Sequence, residues 1–229
     1  MRSSATRFEL DSMIADIELT LVSIIQGVAL AVLITNASTV VTRLQFAAWP
    51  YVLSALFVIL VFWSRAVLHI ITVIRWPIEF GHNFLYIGCA LVEAISFSQI
   101  SHPARWFGFG AAFIAVGWLL FAYDLRLVNA RISDSAGAAS DRMCELVKRD
   151  QYLNLLVLLP ALFCFNVASA WSIHTLPQLF LGRHAHLWLI ALQVIGVLGY
   201  LLYLQRFFGK LAPLIADARA EWRGHDKDL

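Results

Sequence analysis

Residues 19–42 read LTLVSIIQGVALAVLITNASTVVT, a stretch without a charged side chain between Glu18 and Arg43. About 20 apolar residues, each rising about 1.5 Å, cross the roughly 30 Å hydrocarbon core of a bilayer. The stretch therefore predicts a transmembrane helix, placed at Ile17 to Asn36. It is too long for a signal-peptide core and no small-residue cleavage site follows it, so a retained helix is expected. Working outward, five more apolar runs end at charges, prolines or glycines: Pro50 to Trp76, Phe80 to Ile100, Arg105 to Leu127, Leu153 to Ile173, and Leu187 to Phe208. The predicted fold is an all-α, integral membrane six-helix bundle forming one transmembrane domain over residues 1–229. A linker at 128–150 and a tail at 209–229 lie outside the lipid in this reading.

Composition points the same way. The chain is 60% hydrophobic and 14% charged, against roughly 45–50% and 25% in soluble domains. Six crossings use nearly all of its length and leave no room for a separate soluble domain. Cys89, Cys144 and Cys164 have neither the spacing of a zinc site nor the density of a disulfide framework, and predict thiols. A net charge of +2 gives no reason to expect a nucleic-acid partner.

The position of the basic residues sets the orientation. With both termini cytoplasmic, thirteen of the 17 Lys and Arg fall in cytoplasmic segments, Arg43, Arg105 and Arg183 fall outside, and Arg65 lies within a span. The positive-inside rule favours this arrangement. Trp49, Trp106, Trp171 and Trp188 then mark the outer boundary and Trp76 the inner one. Trp63 and Trp118 lie deeper. The expected location is a multi-pass plasma or bacterial inner membrane protein. Ser133 to Ser140 reads as a flexible linker between a front four-helix unit and a rear hairpin, and Pro160 predicts a kink in the fifth helix. Met143, Leu146 and Val147 recur at helical spacing, so that helix is expected to start before the lipid.

Ionisable groups at membrane depth are costly and mark function by default. Arg65 lies about 13 residues before the turn near Pro77 and Glu93 about 15 after it, so a hairpin brings them to similar depth. The pair predicts either an ion lock between two helices or a station on an ion or proton route. Asp124 reads as a solvated end residue. Gln26 interrupts the first helix, and Asn154 and Asn166 bracket Pro160. Gly108, Ala111, Ala112 and Ala115 form a small-residue face suited to helix packing.

Among the histidines only His69 is well inside a span, without a partner of equal depth, which argues against bis-histidine haem. His102, His174, His184 and His186 gather at the outer side and read as exposed loop histidines, with a metal site or a pH sensor as the alternative. No catalytic constellation, cofactor site or metal site is predicted.

Leu21 to Ile34, LVSIIQGVALAVLI, resembles the pore helix of the transmembrane protein 175 family of potassium channels, whose Arg-x-x-x-Phe-Ser-Asp-Gly motif precedes a run of Ile, Ala and Leu. Trp49-Pro50-Tyr51-Val52-Leu53-Ser54 and Phe62-Trp63 are similar to the family's next segment. The resemblance covers about the first hundred residues. It departs at the charged part of the motif: Thr20 stands for Arg, Ile24 and Ile25 for Phe-Ser, Gln26 for Asp, and Ala66 occupies a position expected to be polar.

What the resemblance implies is a homotetramer around four copies of the first helix. Gly27, Ala31, Ile34 and Ser38 would line its pore and pass a monovalent cation, which in that family is potassium. No Thr-Val-Gly-Tyr-Gly filter loop exists in the chain, which excludes the carbonyl-ring kind of selectivity. A non-conducting scaffold or sensor acting through the basic linker and tail, and a membrane redox protein using histidine ligands, are the alternatives.

Overall fold

The computed structural model describes residues 2–74, 79–133 and 137–225. Among these the chain is helical throughout, with α1 (Arg2–Thr42), α2 (Trp49–Thr72), α3 (Phe80–Phe97), α4 (Pro103–Ser133), α5 (Ala138–Leu153), α6 (Leu159–Thr175) and α7 (His186–His225). A π-helical turn at Asn154–Leu158 fuses α5 and α6 into one span, Ala138–Thr175, so six helical spans are long and apolar enough to cross a membrane. Within the apolar 18-residue stretch of each span, between 11 and 39% is buried within the chain. Most of the apolar surface thus faces outward, as a multi-pass membrane protein requires.

Local chemistry sets the ends of these helices. Pro50 and Pro103 stand in the first turns of α2 and α4, where a missing N–H costs no hydrogen bond. Leu44 turns the chain from α1 towards α2 with φ 51°, and His184 does the same before α7 with φ 56°. The expected break at Pro160 takes the form of the π turn just before it. A proline ring collides with the carbonyl four residues earlier, here Leu156, which lies inside that turn. Wider π geometry relieves such a collision.

Packing corrects the expected division into front unit and rear hairpin. α6 packs mainly on α4, and α7 on α2 and α5, so the two rear spans straddle the first four. The 128–150 linker is also largely helical, because α4 runs to Ser133 and α5 begins at Ala138. The 209–229 tail continues α7 through Pro213 to His225. Glu221 on α7 accepts hydrogen bonds from the backbone N–H groups of Ala139 and Ser140 at 2.9–3.1 Å. It thereby caps the otherwise open start of α5. Trp76, Pro77 and residues 134–136 lie outside the described residues.

Glycines mark close approaches between helices. A Cβ at Gly110 would meet Asn166 Oδ1 at 2.7 Å, and one at Gly81 would meet the Tyr123 ring at 2.8–3.0 Å. Gly108 and Ala112 from the expected small-residue face are exposed instead. Trp106, expected at the lipid boundary, is buried with its ring edge-to-face on Tyr51.

Candidate functional site

The interior of the bundle is polar along much of its length, and two cavities meet there at Arg65. The larger, about 140 Å³, lies between α2, α3, α4, α6 and α7. It is walled by apolar groups such as Val58, Phe113 and Leu162, and carries Arg65, Glu93, Asn154, Asn166, Gln193 and Tyr200. The smaller, about 30 Å³, lies on the side of the termini and is lined by His69, His82, Asp124, Asp150 and Gln151. Phe62, Arg65 and Phe121 line both.

Arg65 pairs with Asp150, not with Glu93. Its Nη1 donates to Asp150 Oδ2 at 2.5 Å, and its guanidinium lies 4.8 Å from the centroid of the Phe121 ring. Asp150 Oδ1 accepts from the Tyr203 hydroxyl at 2.6 Å. One turn on, Asn154 donates to the Asp150 backbone carbonyl and accepts from the Tyr200 hydroxyl at 2.5 Å. Arg65 reaches this group because one face of α5 and the π turn, carrying Val147, Asp150 and Asn154, is buried in the bundle. Asp150, which hydropathy assigns to the linker, is only 4% exposed.

Glu93 is likewise buried, at 1% exposed, and Gln26 Nε2 donates to its Oε2 at 3.2 Å. Its Oε1 has no hydrogen-bond partner among the described residues. An unsatisfied buried polar atom costs roughly 1–3 kcal/mol. Arg65 and Glu93 both line the larger cavity, but each has found another partner.

Two further corrections fall at the terminal end. Asp124 is buried and lies between two histidines, with His82 Nδ1 at 2.8 Å and His69 Nε2 at 3.4 Å from its Oδ1. His69 therefore has a partner of equal depth, because the His69 and His82 rings stack with centroids 4.8 Å apart. Stacked face to face, they cannot present their nitrogens to opposite faces of a porphyrin, so they do not form a bis-histidine haem site. Near them Asn83 donates to the buried Glu18, and the Tyr123 hydroxyl to Glu79.

At the opposite end Trp106 donates to Gln193 at 2.8 Å, and Gln193 to Asn166 at 3.4 Å. His186, expected in a loop, is buried in the first turn of α7 with Nδ1 3.0 Å from the Tyr51 hydroxyl. His102, His174 and His184 are exposed.

Gly27, Ala31, Ile34 and Ser38 share one face of α1, and that face points out of the protomer. The inward face carries Val22, Gln26, Ala29, Leu33 and Val40. No family model, curated protein or solved structure matches the chain.

Proposed function

We propose that this chain is a cation-transport protein of the membrane, channel-like in class, whose route runs through the interior of each protomer and carries protons. One observation supports the reading above the others: two cavities meet at Arg65, and their walls hold Glu93, Asp150, Asp124, His69 and His82. Such buried carboxylates and imidazoles mark proton relays inside membrane bundles. The buried guanidinium at the junction opposes passage of a hydrated metal cation. Protons can still move between groups on either side of it. With the basic residues on the side of the termini, the smaller cavity faces the cytoplasm of a plasma or bacterial inner membrane.

The test is proton flux into liposomes holding a pH-sensitive dye, driven by a potassium diffusion potential. The wild type should acidify or alkalinise the lumen according to the sign of the potential. Glu93→Gln, which keeps shape and removes the titrating group, should slow this at least tenfold with unchanged thermal stability. Wild-type liposomes no leakier than empty ones would end the reading.

A second reading has its own support. The outward placement of Gly27, Ala31, Ile34 and Ser38 leaves a small-residue stripe available to other copies, as a tetrameric pore along four α1 helices would need.

A further inference from the structure

His69, His82 and Asp124 come from three different helices, α2, α3 and α4, and converge at the smaller cavity. One donor atom from each lies within 4.8 Å of the other two. Ligands about 2.1 Å from a tetrahedral Zn²⁺ are separated by about 3.4 Å, the distance of His69 Nε2 from Asp124 Oδ1; His82 Nδ1 lies at hydrogen-bond distance, 2.8 Å, and a bound ion would replace that bond and widen the pair.

A hydrogen-bonded network alone does not account for the trio. His69 is 6% exposed, yet neither ring nitrogen has a hydrogen-bond partner among the described residues, and its Nε2 lies 3.4 Å from the same carboxylate oxygen that His82 already engages. Gln151 Oε1, another buried atom without a partner among the described residues, lines the same cavity. Charge points the same way. Asp124 and Glu18 are both buried, and among the described residues neither is paired with Lys or Arg. Buried carboxylates call for a compensating cation.

We propose that His69, His82 and Asp124 bind one divalent first-row transition-metal ion of the Zn²⁺ type. Two imidazoles and one carboxylate are a donor set for such an ion, and they discriminate against Mg²⁺ and Ca²⁺, which prefer all-oxygen shells. Three protein ligands leave a coordination position free, and the 30 Å³ cavity beside them has room for a water or a small anion there. The site lies on the terminal side of Arg65, so a bound ion would occupy that end of the interior. Metal binding itself does not depend on the transport reading.

The experiment is Zn²⁺ titration by calorimetry of the purified full-length protein in detergent, after chelator treatment and dialysis. One Zn²⁺ per chain is expected, with a hundredfold excess of Mg²⁺ failing to compete. His69→Gln and Asp124→Asn should each weaken binding by more than the roughly 10–100-fold that loss of an outer-shell partner brings, while the exposed His174→Gln binds as the wild type does. A wild type that takes up no Zn²⁺, or His69→Gln and Asp124→Asn proteins that bind it normally, would overturn the proposal. Should either variant elute aggregated, the wild type loaded with Co²⁺ decides the matter. Intense visible ligand-field bands of a four- or five-coordinate ion support the site, and weak octahedral bands refute it.

Discussion

Arg65 on α2 and Asp150 on α5 are 85 positions apart in sequence and meet at 2.5 Å inside the bundle, both buried. The contact ties the second span to the fifth. It also supplies the only acidic partner within 4.0 Å of Arg65 among the described residues. Removing one charge from a buried pair leaves the other without compensation, at a cost of roughly 3–5 kcal/mol, whereas replacing both by apolar groups of similar size is often neutral. Arg65→Met alone and Asp150→Leu alone should therefore each lower the unfolding temperature in detergent markedly. The double variant should recover most of the loss, and Arg65→Met with Glu93→Gln should not. Recovery with Glu93→Gln instead would mean that Glu93 is the true partner.

Gly110 carries a smaller prediction. A Cβ there would meet Asn166 Oδ1 at 2.7 Å, and Asn166 is already held by its bonds to the Leu162 carbonyl and to Gln193. Overpacking of this kind costs about 1–3 kcal/mol. Gly110→Ala should lose that much in reversible denaturation. Gly108→Ala, whose Cβ would meet nothing within 4 Å, should change stability little.

The spans were legible in the sequence because lipid imposes a length and a composition on every crossing. The partners of the polar residues were not. A search confined to apolar runs stops at Leu153, and the stretch Asp141 to Asp150, with its alternating charges, reads as aqueous. Yet Met143, Cys144, Val147, Asp150 and Asn154 are buried at helical spacing, so one face of the same helix enters the bundle. Extending that periodicity into the fifth span would have offered Asp150 to Arg65. His82 draws no notice in the sequence, and Asp124 reads as a solvated end residue, for a related reason. Each lies near a predicted span boundary, where hydropathy assigns solvent, and only the meeting of side chains from α2, α3 and α4 at the smaller cavity shows that this end of the bundle is closed over them. The face of α1 that bears Gly27 and Ala31 was correctly grouped by spacing, but spacing alone cannot say whether a face turns inward or outward.

Topology can be tested at two connections. Gly137 is a poor labelling site, because a side chain there would meet the Glu221 carboxylate at 2.9 Å and disturb the cap on α5. Ala138 is exposed and serves instead, as does Gly182 in the connection between α6 and α7. In a background with the three native cysteines replaced, Ala138→Cys should react with a membrane-impermeant maleimide only after the cytoplasmic side is opened. Gly182→Cys should react in intact cells. Labelling of both from one side would contradict an odd number of crossings between them.

The interior route and the α1 pore make opposite demands on two residues, so one flux assay separates them. Ala31 is exposed on the outward face of α1, where a tryptophan has space in a single protomer but would obstruct an axis shared by four. Glu93 is buried within one protomer and lines a cavity that four copies need not share. If the route is interior, Glu93→Gln should reduce proton flux at least tenfold, and Ala31→Trp should behave like Leu60→Trp, an exposed position on α2 that serves as the lipid-facing control. Leu33 is unsuitable as that control, because at 3% exposed it packs inside the protomer and a tryptophan there would damage the fold. If instead Ala31→Trp abolishes flux, Glu93→Gln leaves it intact and the protein elutes from detergent columns as a tetramer, conduction belongs to the α1 axis. The Glu93–Gln26 contact would then serve to hold α3 against α1.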